Sequence, residues 1–169
     1  ESSYFEHGAF REDAEIFDDA EEAKKEGKEA TRITKIKILA GEMGINFIIG
    51  LEVFYDGEES AGYRIGSRNK EGGYRESVEE LEEDENIVKI TGTSGEYNDD
   101  GRTAIMSLNF VTDKGRTLSF GNQDRGEEFT LEDPAGRTVR AVKLALDYWV
   151  EGIGAYFDHR DYTQEGCEE

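Results

Sequence analysis

The feature that most constrains this chain is a pattern that recurs three times along it. Lys37, Lys89 and Lys143 each lie in a short run of alternating apolar residues, and each run is followed by a loop and a second run. The three lysines are 52 and 54 residues apart. A repeat of this size is one supersecondary unit that cannot bury its apolar face without its copies. The spacing therefore predicts one domain with approximate three-fold symmetry.

The paired runs have the two-residue period and the β-branched or aromatic content of half-buried strands. They are residues 33–39 with 51–55, 87–91 with 104–112, and 138–146 with 150–157. Strict alternation along 104–112 predicts that Ile105 faces away from Leu108. Each repeat also has a connector that begins with glycine, and these connectors end in strand-like pieces near Phe17, Val78 and Phe129. Twelve short strands in three equivalent units predict an all-β fold, with a prism favoured over a sandwich or barrel.

Three segments between the strands have distinct predictions. Residues 18–30 are charged and have almost no apolar face, so we expect an elongated loop or a short exposed helix. Residues 77–86 have some helical character, but their place in the repeat favours a strand and an acidic hairpin. Pro134, the single proline, indicates a turn between two strands of the third repeat.

The charge of the chain excludes several classes of partner. There are 40 Asp and Glu residues against 20 Lys and Arg, which gives a formal net charge of −20. Such a charge repels phosphate backbones and anionic lipids, so we expect neither nucleic acid nor membrane-surface binding. The apolar runs are also too short for a bilayer span, and we predict no membrane insertion. Neutral ligands, cations and basic proteins remain as partners.

The reactive residues give no sign of an enzyme or of a cofactor. Cys167 is the single cysteine, so no internal disulfide is possible, and an intermolecular one and an idle thiol both remain open. His7 and His159 lie in the terminal segments, where we expect both to be exposed to solvent. A first residue of Glu rather than Met fits a processed secreted protein or a trimmed chain. We expect an extracellular or secretory-pathway location.

The third repeat resembles the jacalin-related lectins. Residues 121–158 follow that family's order of Phe-Gly, a short loop, Gly-x-x-Phe-x-Leu, a turn, an apolar strand and a Trp/Tyr loop into Ile-Gly-x-Tyr. The segment 7–19 resembles the family's glycine-rich amino-terminal segment, and further motifs follow in family order. The resemblance implies a β-prism I fold of three four-stranded sheets with pseudo-three-fold symmetry. It places a single domain over residues 1–158 and leaves 159–169 as an acidic tail.

The resemblance also implies a carbohydrate site between two loops at one end of the prism. The amino-terminal loop, from Gly8 to Arg11, would offer backbone N–H groups, and a loop before Ile-Gly would offer further N–H groups and a carboxylate. No metal is required. The glycan-contacting residues expected from this mapping are Gly8, Ala9, Asp147, Tyr148, Trp149 and Glu151.

Both loops depart from the family pattern. Glu151 stands where the family has Asp, Asp147 stands where it has Gly, and the amino-terminal Gly-Gly has become Gly8-Ala9 followed by charged residues. Two alternatives to glycan binding therefore stay open. One is a structural or protein-interaction module with a degenerate sugar site, whose tail could dock on a partner chain or an oligomer. The other is calcium binding through acidic loops, among them Asp147 with Glu151 and the turn at residues 98–100.

The Trp149 position has two interpretations. As a core residue it would pack under the sheet of the third repeat, and as a site residue it would lie at the loop tip beside Tyr148. The resemblance favours the loop tip.

Overall fold

The computed structural model describes residues 3–41, 47–57, 64–65, 74–97, 102–147 and 149–158. Within these ranges the chain forms twelve strands and one short helix. In chain order they are β1 (Ser3–Gly8), β2 (Glu15–Asp18), α1 (Asp19–Lys25), β3 (Ile33–Gly41), β4 (Ile48–Tyr55), β5 (Arg64–Ile65), β6 (Tyr74–Glu80), β7 (Ile87–Tyr97), β8 (Arg102–Thr112), β9 (Thr117–Gly121), β10 (Glu127–Glu132), β11 (Thr138–Leu146) and β12 (Val150–Asp158).

The strands form three antiparallel sheets of four strands each. The first sheet has the order β1-β12-β11-β2, the second β5-β4-β3-β6 and the third β10-β7-β8-β9. The centre of each sheet is the long hairpin of one repeat. The predicted all-β prism with pseudo-three-fold symmetry is confirmed. The first sheet differs from the others because its outer strands come from the amino-terminal end of the chain.

The three lysines that mark the repeat occupy the central strands β3, β7 and β11, and each is partly exposed. Their apolar neighbours point inward, as Ile36 and Ile38 do on either side of Lys37. Inward-facing residues of all three sheets form one main core cluster. Each repeat therefore buries its apolar face against the other two repeats.

Each central hairpin has a register shift near both of its ends. We call the end at which β3, β7 and β11 finish the bulge end of the prism, and there the extra residue lies on the second strand of each hairpin. The register skips Ile49 on β4, Met106 on β8 and Glu151 on β12. A bulge inserts one residue into one strand and turns the side chains beyond it. Ile105 therefore packs in the main core with Leu108, and the prediction that the two residues face opposite ways was wrong.

A second apolar cluster lies at the bulge end, and we call it the bulge-end cluster. It draws residues from all three repeats: Leu39, Phe47, Ile49, Ala104, Met106 and Trp149. Phe47 and Trp149 meet edge to face, with ring centroids 5.4 Å apart. This cluster closes one end of the core and forms the base on which the candidate site is built.

The remaining segments follow the sequence closely. Helix α1 has no buried residue, and the Asp18 carboxylate caps it by accepting from the N–H groups of Ala20 and Glu21. Residues 77–80 belong to strand β6, as the repeat predicted, and a turn follows at 83–84. The predicted acidic hairpin was wrong, because β6 and β7 lie in different sheets. A turn also follows Asp133 and includes Pro134. Within the described part of the chain, no helix is long and apolar enough to cross a membrane.

Candidate functional site

The candidate site begins with Glu151, the bulged residue of β12. In the other two repeats the same bulge carries Ile49 and Met106, which are apolar and buried. The third repeat therefore places a carboxylate where its copies place hydrocarbon. The side chain of Glu151 is 0% exposed. A buried carboxylate needs a partner, because an uncompensated charge in that position is strongly destabilising.

Arg11, in the segment between β1 and β2, supplies that partner. Its Nε donates to Glu151 Oε1 at 3.1 Å, and its Nη2 donates to Oε1 at 2.8 Å and to Oε2 at 3.1 Å. These hydrogen bonds raise the pKa of Arg11 above its ordinary value. The guanidinium is therefore held as a cation against both oxygens of one carboxylate, a geometry that a lysine ammonium cannot reproduce.

Asp147 joins this pair from the turn between β11 and β12. Arg11 Nη2 also donates to Asp147 Oδ2 at 3.2 Å, and the Asp147 N–H donates to the Trp149 carbonyl at 3.0 Å. The Asp147 side chain is 15% exposed and that of Arg11 is 33% exposed. Arg11 Nη1 also donates to the Asp13 carboxylate at 3.2 Å. Of these four charged groups, Arg11, Asp13 and Asp147 reach solvent, and Glu151 does not.

Gly8 and Ala9 hold the amino-terminal segment against β12. The Ala9 N–H donates to the Glu151 carbonyl at 3.0 Å. Gly8 has a φ of +99°, and a Cβ built there would lie 2.4 Å from the same carbonyl oxygen. Glycine is therefore required at position 8 for two reasons, the left-handed backbone conformation and the close approach of the Glu151 carbonyl. The structure brings Gly8, Ala9, Asp147 and Glu151 together, as the sequence predicted.

Trp149 does not form an exposed wall beside them. Its side chain is only 9% exposed and packs against Phe47 in the bulge-end cluster. The loop-tip position favoured from the sequence was therefore wrong, because the bulge turns this residue inward. Tyr148, the neighbouring aromatic residue, lies outside the described residues.

The aromatic residue that the structure places next to the site is Phe10. A Cβ on Gly152 would lie 2.8 Å from the Phe10 ring, so this ring lies directly over the glycine. The Lys143 ammonium is 5.4 Å from the Phe10 ring centroid. The sequence placed Phe10 and Arg11 in the amino-terminal loop of the site, but their side chains were not predicted to take part in it.

Part of this arrangement could have been predicted by aligning the three repeats on β4, β8 and β12. The alignment shows that Trp149 occupies an apolar core position and that Glu151 needs a counter-ion. The equivalent sets are Phe47, Ala104 and Trp149, then Ile49, Met106 and Glu151.

Two further expectations concern metals and His7. Within the described ranges, no group of three or more His, Cys, Asp or Glu residues is placed to hold a metal ion, and residues 98–100 lie outside those ranges. The prediction that His7 is exposed was wrong. Its Nε2 lies 2.6 Å from Ser94 Oγ, and its ring stacks on Phe129 with centroids 4.2 Å apart. His159 and the tail 159–169, including Cys167, lie outside the described residues.

Three four-stranded sheets with a polar site between an amino-terminal loop and the last hairpin define the β-prism class of lectin domains. The family model described as "Jacalin-like lectin domain" matches residues 15–156, and the chain belongs to that family. The family comprises lectins, not enzymes. The match lies within the domain expected at residues 1–158.

Individual relatives agree with this assignment. Jacalin-related lectin 22 of Arabidopsis thaliana is 39% identical over 74 residues. That match covers 44% of this chain but only 16% of the length of the Arabidopsis protein. Among solved structures, frutalin from Artocarpus incisa has a TM-score of 0.72 at 20% identity, over 94% of this chain and 96% of frutalin. A mannose-specific jacalin-related lectin from Morus nigra, in complex with mannose, has a TM-score of 0.70 at 20% identity, over 93% and 94%.

Proposed function

We propose that this chain binds a neutral glycan at the bulge end of the first sheet, with Arg11 and Asp147 as its polar contacts. Family membership supports glycan binding in general, and the Morus nigra relative is a mannose-specific lectin. A neutral ligand fits the net charge of −20 and the three carboxylates that surround Arg11. The partner would be a free glycan or the glycan of a glycoprotein.

The observation that carries the proposal is the bridge that Arg11 makes between Glu151 and Asp147. A pyranose presents neighbouring hydroxyl groups that both donate and accept hydrogen bonds. Arg11 is a donor and Asp147 is an acceptor, and both reach solvent at adjacent positions. Glu151 is buried beneath them and acts as a positioning residue that holds Arg11. This assignment differs from the family pattern, in which the carboxylate at the Glu151 position contacts sugar directly.

A single lost contact would be decisive at the affinities expected for a monosaccharide. A Kd near 1 mM corresponds to only about −4 kcal/mol. One hydrogen bond to a charged group contributes roughly 1.5–3 kcal/mol. Arg11→Ala or Asp147→Ala should therefore weaken binding at least tenfold, and calorimetry with single sugars would then detect little or no heat.

The experiment combines a glycan array with calorimetry on the parent chain and three variants. Arg11→Ala and Asp147→Ala remove the proposed contacts. Lys25→Ala is the matched control, since it removes one exposed cation from helix α1 and changes the net charge as Arg11→Ala does. Binding by the parent and by Lys25→Ala, with loss in the two site variants, is the expected result.

The bridge also favours a second candidate function, an interaction module in which the Arg11 side chain covers Glu151 and so blocks the sugar site. Arg11 contacts Glu151 and Asp147 together, and Glu151 has no exposed side-chain surface. In that case the parent chain would give no signal across neutral glycans, and Arg11→Ala would gain binding by uncovering Glu151. Silence of both proteins would reject glycan binding at this end altogether.

A further inference from the structure

A separate cavity lies on the third sheet and shares no lining residue with the Arg11 site. Its volume is about 280 Å³. It is lined by Thr91, Gly92, Thr93, Asn109, Gln123, Glu128, Phe129 and Thr130. We call it the third-sheet groove. Glu128 is its single charged residue, although 36% of all residues in the chain are charged.

Strand register explains why these residues lie side by side. In one row across the sheet, Thr130 of β10 pairs with Thr91 of β7, which pairs with Asn109 of β8. In the next row, Glu128 pairs with Thr93. Directly opposed residues in antiparallel strands have their side chains within contact distance on one face. The groove is therefore a ladder of hydroxyl and amide groups.

The amides of the groove are ordered by bonds to each other. Asn109 Nδ2 donates to Gln123 Oε1 at 3.2 Å, and Gln123 Nε2 donates to Asn109 Oδ1 at 2.9 Å. The Asn109 amide also donates to Thr91 Oγ1 at 3.1 Å, and the Gln123 amide donates to the Phe120 carbonyl at 3.2 Å. Each side-chain amide has two N–H donors. Both donors of both amides are thus occupied within the protein.

This pairing decides what the groove can recognise. The amide oxygens of Asn109 and Gln123 each keep a second lone pair, and the Glu128 carboxylate adds further acceptors. The Thr91 hydroxyl accepts from the Asn109 amide and carries one O–H that can donate. The groove is rich in acceptors, preorganised, and nearly without charge. A phosphate or sulfate would be repelled, whereas a ligand with several neutral hydroxyl donors would be matched.

We propose that the third-sheet groove is a second saccharide site, which binds one neutral sugar ring through its hydroxyl groups. The volume is at the lower limit for small-molecule pockets, which suits a single ring better than a longer chain. A basic peptide is a poorer fit, because the only carboxylate is that of Glu128. With the Arg11 site, one chain would carry two sugar sites and could bridge two glycans without forming an oligomer.

The test uses backbone amide NMR spectra of the full chain, titrated with mannose, galactose and glucose well beyond a millimolar Kd. Groove signals are those of Thr91, Asn109 and Thr130, and Ala9 and Asp147 report on the Arg11 site. Thr130→Trp blocks the groove from the outer strand β10. Ser119→Trp is the matched control, because Ser119 pairs with Asn109 in the same row on the other outer strand but does not line the groove.

The proposal expects at least one sugar to shift the groove signals in the parent and in Ser119→Trp, with the shifts lost in Thr130→Trp. Thr91→Val is included in case the tryptophan variants misfold. It removes one hydroxyl at nearly constant volume and should weaken the affinity of the groove for sugar severalfold. Shifts confined to Ala9 and Asp147 would overturn the groove proposal and leave the Arg11 site standing. Shifts confined to the groove would support the groove proposal and reject glycan binding at the Arg11 site. Groove shifts with oligolysine but with none of the sugars would also overturn the groove proposal.

Discussion

Glu85→Gln tests whether one buried ion pair stabilises the end of the prism opposite the bulge end. Arg116 donates to the two Glu85 oxygens from Nε at 2.8 Å and from Nη2 at 2.9 Å. The Glu82 N–H also donates to Glu85, at 2.9 Å, and Arg32 donates to the Glu85 carbonyl. The Glu85 side chain is 0% exposed. The hydrogen bonds from Arg116 lower the pKa of Glu85 from 4.5 to about 2 despite the opposing effect of burial.

The size of the effect follows from this pKa. A difference of about 2.5 units corresponds to about 3 kcal/mol of differential stability. The Arg116 side chain is 40% exposed, so solvent screening reduces the expected contribution to about 1–2 kcal/mol. Because the folded pKa is depressed, this contribution is fully present above pH 4.5, and it is lost as the pH falls towards 2. About half should be lost near pH 3.

Urea unfolding between pH 7 and pH 3 measures this contribution directly. Glu85→Gln should lower the free energy of unfolding by about 1–2 kcal/mol at pH 7, with the difference from the parent narrowing below pH 4.5. Glu83→Gln, an exposed change in the same turn, is the control and should alter stability by less than about 0.5 kcal/mol. A Glu85→Gln difference that stays constant down to pH 3 would refute the reasoning.

Three further predictions test other parts of the fold. Gly8→Ala should destabilise the chain by about 3 kcal/mol or more, and Gly57→Ala by about 1–2 kcal/mol. Both glycines have positive φ, but only at Gly8 would the added Cβ meet backbone atoms. Equal losses in chemical denaturation would contradict this reasoning. Trp149→Ala should cost about 3–5 kcal/mol by the same assay, and a loss below about 1 kcal/mol would argue against burial in the bulge-end cluster. Burial lowers the pKa of His7 below its ordinary 6.5, so the contribution of His7 to stability should be fully present above pH 6.5 and should fall on acidification. NMR titration of the His7 ring should give a midpoint below pH 6.5. His7→Asn should reduce the pH dependence of the unfolding free energy.

The central strands could be predicted from the sequence because period-two alternation depends only on which face of a strand is buried. The bulges at the bulge end could not, since they arise from how the second strand of each hairpin pairs with the first. One skipped residue reverses the face of the side chains on one side of it relative to those on the other side, as the positions of Ile105 and Trp149 show. Alternation within a single repeat does not reveal a skip, whereas comparison of all three repeats does.

The candidate site was predictable in its backbone but not in its charges. Gly8, Ala9, Asp147 and Glu151 could be placed by their order along the chain. The hydrogen bonds of Arg11 to Glu151 span 140 residues, and no local pattern links the two. The partial burial of His7 against Phe129 was missed for the same reason, because the contact forms only when β1 packs beside the third sheet.

The first sheet closes the chain on itself, with Ser3 of β1 opposite Phe157 of β12. During synthesis β1 and β2 must therefore wait for β11 and β12, which follow more than a hundred residues later. At ribosomal rates this delay is on the order of 10 s, during which the edges of both segments are unpaired. Contacts of such long sequence separation also make folding slow. Arg11 and Glu151 can meet only after β12 has been synthesised, so a chain in which β12 has not docked would have no Arg11 site, and glycan binding would report on the docking of β12.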